Sequence, residues 1–246
     1  MNGSVAELVM TFERAVVVIP AHNESVNLPD SLKAVVTAAA CSSMTVLTVV
    51  VLDACDDTSA DLAGRFGSDV QFIEVDARNV GASRAAGFSY ARSSAGMDCI
   101  DESRTWYATT DADTQVDPDW LIRQTASGAD MVLGVVRIAN WRHLPAAAVR
   151  RYLSAYRSKR RPDGHGHVHG ANMGFRAEAY WRVGGFAALR TGEDVDLVRR
   201  FEERGFLIDR DERLSVTTSA RQKGKAPRGF AAHLRRIGPS ADREPA

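Results

Sequence analysis

Acidic residues gather where the apolar runs of this 246-residue sequence stop. Val16–Ile19 leads into Pro20-Ala21-His22-Asn23-Glu24, and Val46–Leu52 leads into Asp53-Ala54-Cys55-Asp56-Asp57. Val70–Val75 leads into Asp76-Ala77-Arg78-Asn79, and Thr105–Thr109 leads into Asp111-Ala112-Asp113. A rim of acids repels a bare phosphate. A divalent cation reverses that logic, because carboxylates hold the cation and the cation holds phosphate oxygens. Asp111 and Asp113 are the best candidates for such a cation, one facing the metal and the other reaching a sugar hydroxyl or a metal-bound water. The competing reading is a solvated turn ahead of the helix that begins at Pro118.

Other residues could join them. Asp53 reads as a ligand-facing acid that accepts hydrogen bonds from a base or ribose, or else as an exposed turn acid. Asp56 and Asp57 read as caps of the next helix. Arg84 lies one turn inside a helix that starts at the ligand edge, where it touches a base or diphosphate or simply faces solvent. Glu193-Asp194 opens a helix. Two acids there are favoured by the helix dipole, and equally could present a general base. His165, His167 and His169 alternate, so in a strand they share a face. They read as a zinc cluster, as one acceptor-side or metal-side residue, or as neither.

The elements that must position these groups follow from periodicity. The apolar runs at 16–19, 46–52, 70–75, 105–109 and 131–136 read as strands. Between them, Leu28, Leu32, Val35 and Val36 share a helical face, as do Ala60, Ala63 and Phe66, and Ala82, Ala85, Ala86 and Phe88. Alternating strands and helices, with crossovers of this length, argue for an α/β fold with a mostly parallel central sheet and helices on both faces. In such sheets ligands bind beyond the carboxyl ends of the strands. The second half reads as a basic helix over 142–161, a loop over 161–166, and a short strand over 169–175. Helices over 177–183 and 193–203 follow, the latter with an apolar face of Val195, Leu197, Val198 and Phe201. The expected organisation is an N-terminal extension (1–14) and one domain over 15–220. That domain divides into two halves (15–117 and 118–220), and a basic tail (221–246) with a short helix around 230–237 follows.

Bulk numbers exclude several classes. Hydrophobic content of 45% and charged content of 25% are ordinary for a globular protein. Lys plus Arg (31) equals Asp plus Glu (31), so overall charge does not argue for nucleic acid. Cys41, Cys55 and Cys99 show no disulfide framework or metal spacing. Those scattered cysteines fit a reducing, cytoplasmic setting, and no signal peptide or membrane span is readable. No G-x-G-x-x-G follows the first strand, and no G-x-x-x-x-G-K-[ST] occurs.

Six segments carry a resemblance: VVVIPAHNE, VVVLDACDD, RNVGASRAAG, DADTQVDPDWL, HGANMGFRAEAYWRVGGF and GEDVDLVRRFEERG. In this order and spacing, from about Val16 to Gly205, they resemble family 2 glycosyltransferases of the GT-A fold. The resemblance implies a Rossmann-like nucleotide-binding N-terminal half (15–117), an acceptor half (118–220), a nucleotide-sugar donor (UDP- or GDP-sugar) and Mn2+ or Mg2+. It implies that Pro20, Ala21 and Glu24 cradle the nucleoside, that Asp53 pairs with the base, and that Arg84 lies close to the base. It makes Asp111 and Asp113 the metal pair, with Asp111 also on the nucleotide side. It makes Asp194 the catalytic base, with Glu193 beside it. Gly170, Ala171, Asn172 and Gly185 match segments near the donor sugar and acceptor.

There are departures. His22 stands where an aromatic is commoner, and an imidazole can still stack. Ala54-Cys55 replaces the usual polar turn, leaving base selectivity open. The Trp-containing motif of processive members is missing, which points to single transfer. Arg221, Lys223, Lys225 and Arg228 read as a lid over the diphosphate or as a solvated tail. The basic helix and tail would serve an anionic acceptor or give peripheral contact with the inner face of a membrane. The rival functions are a metal-dependent nucleotidyltransferase and a non-catalytic nucleotide-sugar binding protein.

Overall fold

The computed structural model describes residues 11–94, 101–141, 145–162 and 164–219. The unbroken apolar run of β1 (Arg14–Ala21) places it inside the sheet. It pairs in parallel with β2 (Thr45–Asp53) on one side and β4 (Thr105–Thr109) on the other, so that Val16 lies opposite both Leu47 and Tyr107. β3 (Val70–Val75) extends the sheet beyond β2, also in parallel. Period-two alternation splits β1 between two cores. Val17 and Ile19 cluster with Leu28, Leu32 and Val35 of α1 (Leu28–Cys41), and Val16 and Val18 cluster with Phe88 of α2 (Val80–Ser93). Helix α2 comes so close that a Cβ on Gly87 would sit 2.6 Å from Val18 Cγ1.

The second half completes the same sheet. Its elements are β5 (Thr114–Val116), α3 (Trp120–Ala126), β6 (Met131–Ile138), α4 (Ala146–Arg157), β7 (Arg160–Arg161), β8 (Gly164–His165), β9 (Met173–Arg176), α5 (Ala177–Arg182), α6 (Glu193–Glu203) and β10 (Ile208–Thr218). The eight-stranded order is β3-β2-β1-β4-β9-β6-β10-β5. β9 runs antiparallel between β4 and β6, and β10 runs parallel to β6. The carboxyl ends of β1, β2, β4, β6 and β10 therefore share one edge with the start of β9. This is the expected mostly parallel α/β sheet with helices on both faces.

Several local expectations change. The helix anticipated at 60–66 is a 3-10 turn over Thr58–Leu62, capped by the Asp57 side chain accepting from the Ser59 amide. The helix expected over 142–161 is α4 (Ala146–Arg157), and Arg160–Arg161 at its expected end pairs with Gly164–His165 of the expected loop as the β7–β8 ribbon. Val195 is exposed, and Leu197, Val198 and Phe201 form the buried face of α6. β5 and β10 were not anticipated: β5 has three residues, and β10 opens with the charged run Asp209-Arg-Asp-Glu-Arg213 and carries a bulge between Arg210 and Ser215. The whole 221–246 tail, with the four basic lid candidates and the 230–237 helix, lies outside the described residues, as does Cys99. Among the described residues no helix is long and apolar enough to cross a membrane.

The three histidines form a column against α4. His165 donates from Nε2 to the Leu133 carbonyl (3.1 Å) and accepts at Nδ1 from the His167 amide (3.1 Å). His167 stacks on Tyr156, with ring centroids 3.7 Å apart, and donates from Nε2 to the Tyr156 carbonyl (3.0 Å). His169 Nε2 lies 3.3 Å from Tyr156 Oη. Among the described residues no group of three or more His, Cys, Asp or Glu side chains is placed to hold a metal. Burial pushes all three rings below the ordinary histidine value, His167 to about 4 and His169 to about 3.

The sign of the resulting pH dependence is fixed. As pH falls below about 6.5 the unfolded chain takes up protons that the folded chain refuses, so stability falls by up to ~1.4 kcal/mol per pH unit for each ring. The loss continues towards the folded values of about 4 and about 3. Urea melts of the parent between about pH 7.5 and about pH 5 should show it, and H167Q should show a flatter profile. The raised Glu193 and Asp209 carboxyls act in the opposite direction, but they are common to both proteins and cancel in the difference.

Candidate active site

Asp53 ends β2, and its carboxylate organises the rim. Oδ1 accepts from the amides of Ala77 (2.8 Å) and Arg78 (2.7 Å), and Oδ2 accepts from the Asn79 amide (2.9 Å) and the Ser83 hydroxyl (2.7 Å). Burial alone would raise this carboxyl, but those four donors outweigh it and hold it below its ordinary value. The carboxylate thus fastens the β3–α2 loop to β2, where the sequence suggested an acid directed at a base. His22 is exposed and donates from Nδ1 to the Asp53 carbonyl (2.7 Å). Glu24 is 5% exposed; its carbonyl accepts from the amides of Asn27 and Leu28, and its carboxylate accepts from the Asn27 side chain (2.9 Å). It therefore shapes the entry to α1. Pro20 and Ala21 are the last residues of β1, and the Ala21 carbonyl accepts from the Cys55 thiol (3.4 Å).

Arg84, from α2, is 2% exposed. Its Nη2 donates to Asp111 Oδ1 (2.7 Å), its Nε donates to Thr109 Oγ1 (3.2 Å), and its Nη1 pairs with Glu193. Gly170 lies flat against the guanidinium, for a Cβ there would sit 2.5–2.7 Å from its Nη2, Nη1 and Cζ. The Phe186 ring centroid lies 5.6 Å from Cζ. Arg84 is thus an interior link rather than a surface arginine.

Glu193 and Asp194 differ in their surroundings. Glu193 is buried, which pushes its carboxyl up, while Arg84 pulls it down and Asp194 and Asp111 push it up again. Asp194 is half-buried, with Oδ2 accepting from the Gly170 amide (2.9 Å) and Oδ1 from the Val195 amide (2.8 Å). The α6 end is drawn to this edge by the preceding loop. The Leu189 carbonyl accepts from the Gly81 amide (3.3 Å), and the Ala188 carbonyl accepts from the Asn79 side chain (3.0 Å). A Cβ on Gly81 would run into the Ala187 carbonyl.

Asp111 and Asp113 are half-buried in the turn between β4 and β5. Asp113 Oδ1 lies 3.4 Å from the hydroxyls of both Thr114 and Thr218, and its carbonyl accepts from the Ser219 amide (3.2 Å). Two carboxylates in one turn suit a cation that completes its shell with water and diphosphate oxygens.

The sugar-side glycines and asparagine divide. Gly170 and Ala171 are buried at the Asp194 end of the segment. Asn172, by contrast, has its amide satisfied inside the core. It accepts from Trp120 Nε1 (2.9 Å) and donates to the carbonyls of Val135 and Leu214 (3.0 Å each). Gly185, at φ 67°, turns the chain after α5 against the Tyr180 ring. Thr109, Ser83 and Thr218 were missed. Thr218 was missed because its strand was missed; the other two are small polar residues that only the fold brings to the rim.

The profile of Glycosyl transferase family 2 matches residues 16–184. The chain belongs to this family. No curated protein matches it by sequence. Among solved structures it is similar to S. aureus TarS 1–349 in complex with UDP-GlcNAc, at TM-score 0.61 and 12% identity, covering 88% of this chain and 61% of that one. It is also similar to the mannosyltransferase PcManGT from Pyrobaculum calidifontis in complex with GDP-Man and Mn2+. There the TM-score is 0.65 and the identity 16%, covering 88% of this chain and 59% of that one. The chain thus spans about three fifths of each. The matched region of family 2 contains the Asp53 loop, Arg84, the Asp111 turn and Gly170, and α6 lies just beyond it.

Asp53→Asn should test the fastening role. An amide NH2 would face donors where a carboxylate oxygen accepts, costing about 1–3 kcal/mol. Denaturant unfolding should show this loss with an unchanged m-value.

Proposed function

We propose that this family 2 member transfers a sugar from a nucleoside diphosphate sugar, UDP- or GDP-linked, to an acceptor hydroxyl in a single inverting displacement with Asp194 as general base. The reading rests on one observation. Of the two adjacent acids that open α6, Glu193 is paired directly with Arg84, while Asp194 is half-buried and accepts hydrogen bonds from the Gly170 and Val195 backbone amides. The same guanidinium holds Asp111 of the proposed metal turn, so the start of α6, where Asp194 lies, and the metal turn are tied to one side chain.

Asp194 takes the acceptor hydroxyl proton as that oxygen bonds to the anomeric carbon. The bond from that carbon to the diphosphate breaks, and the nucleoside diphosphate leaves with the electron pair. Asp111 and Asp113 would hold Mn2+ or Mg2+, which when bound supplies Lewis-acid neutralisation of the departing diphosphate. His22, exposed above β2 and fixed to the Asp53 carbonyl, offers a ring face to the base. Asp53 and Glu24 keep the nucleoside loops in shape from beneath. The nucleotides bound to TarS and PcManGT, and the Mn2+ in the latter, support the donor class and the cation.

The nucleotidyltransferase alternative would release pyrophosphate, whereas this reaction releases nucleoside diphosphate. A thermal-shift panel of nucleoside diphosphates and their sugars, with and without Mn2+, is the direct test. Stabilisation should require nucleotide and metal together, and Asp113→Asn should lose the metal-dependent part. Asp194→Asn can keep its hydrogen bond from Gly170, so it should retain donor binding. Its turnover should fall by about 10²–10⁴-fold. Parent-like turnover in Asp194→Asn would exclude it as the base.

A further inference from the structure

Asp111 is shared between the proposed cation turn and a cation the chain already contains. Arg84 Nη2 sits 2.7 Å from Asp111 Oδ1, with 3% of the arginine side chain exposed against 41% of the aspartate's. The guanidinium cannot easily withdraw. Gly170 lies against its flat face, Thr109 accepts from Nε, and Glu193 holds Nη1.

We propose that Arg84 is an internal counter-ion that competes with the divalent cation for Asp111, so that the cation binds tightly only together with the nucleoside diphosphate. The inference rests on the metal-dependent reading above and adds a binding order to it. A dication entering the nucleotide-free turn meets Asp113 and an Asp111 whose charge is already answered by a fixed cation. Two positive centres on one carboxylate repel, and so close to the interior that repulsion is weakly screened. A diphosphate brings negative oxygens to the open side of the dication and offsets the repulsion. Linkage then requires that the dication strengthen nucleotide binding by the same factor.

Glu193 sets how strongly Arg84 acts. It neutralises the far side of the guanidinium, so removing its charge leaves Arg84 more positive towards Asp111. Removing Arg84 and neutralising Glu193 should therefore shift metal affinity in opposite directions. A residue that merely stabilised the fold would move both the same way.

The test is Mn2+ binding, read by the free-ion electron paramagnetic resonance signal or by calorimetry, to protein alone and with UDP or GDP. Because R84M leaves Glu193 buried without its partner, the main variant is R84M/E193Q, which removes both charges of the buried pair. Its fold is checked by circular dichroism and melting. The parent should bind Mn2+ weakly alone and at least about tenfold more tightly with one of the two diphosphates. R84M/E193Q should bind Mn2+ alone at least about tenfold more tightly than the parent and gain less from the nucleotide. E193Q should bind Mn2+ alone more weakly than the parent, and R84K, which keeps the charge, should stay close to it. Nucleotide-dependent Mn2+ binding that is the same in the parent and R84M/E193Q would overturn the role of Arg84 and leave the metal reading standing. Tight Mn2+ binding by the parent without nucleotide would do likewise. No Mn2+ binding by the parent even with nucleotide would overturn both.

Discussion

A buried guanidinium ties this structure's rim together. A charge removed from water is costly unless it is paired and hydrogen-bonded. Burial opposes the charge on Arg84, but Asp111, Glu193 and Asp194 outweigh it and keep the side chain protonated. Satisfying that one residue brings α2, the β4–β5 turn and the start of α6 to a common point. Gly170 from the segment before β9 then closes on the same group. The requirement is mutual, for without Arg84 the carboxylates would repel one another in a partly dry setting.

The nucleoside side of the rim is organised differently, by backbone amides on carboxylate oxygens. Asp53 gathers three consecutive amides and a hydroxyl, while Asp57 accepts from the amides of Ser25 and Ser59. Three non-glycine residues with positive φ sit in these loops: Asn23 (54°), Ala54 (50°) and Arg78 (49°). Each follows a strand of the parallel half. A left-handed alanine costs roughly 1–2 kcal/mol relative to its relaxed form. Such strain persists where surrounding bonds over-determine the backbone: here the Asp53 carboxylate accepts from the Arg78 amide, and the Cys55 sulfur accepts from the Asn23 amide while the Asn23 side chain accepts from the Asp56 and Asp57 amides.

The parallel half was legible because its strands are continuous apolar runs that end abruptly in polar turns, and burial on both faces leaves no other pattern. Residues such as Asp111, Asp113, Asp53 and Glu193-Asp194 could be singled out because they stand at element ends. What could not be read was what each side chain does there. Asp53 and Asn172 stand where ligand contacts are expected, and the structure adds bonds that no local spacing encodes: Asp53 accepts from three amides and a hydroxyl, and the Asn172 amide is bonded inside the core. Arg84 looked ambiguous for a related reason. Its partners lie 27 and 109 residues away, and no local spacing encodes them. β10 escaped because its first half is charged and its strand is interrupted by a bulge, so neither alternation nor an apolar run persists.

The arrangement also bears on stereochemistry. A retaining displacement through a covalent intermediate needs a second carboxylate free to attack the anomeric carbon. Glu193 is buried on Arg84, and Asp111 has one oxygen on the same guanidinium. Asp113 lies beside Thr114 and Thr218 in the proposed metal turn. That leaves Asp194 as the half-buried acid of the pair, oriented by amides that accept no proton and compete for none. In the proposed reaction this one oriented carboxylate takes the proton of the incoming hydroxyl. The asymmetry between two neighbouring acids, created by a cation 109 residues away in the chain, is what would leave Asp194 to act as the base in that reaction.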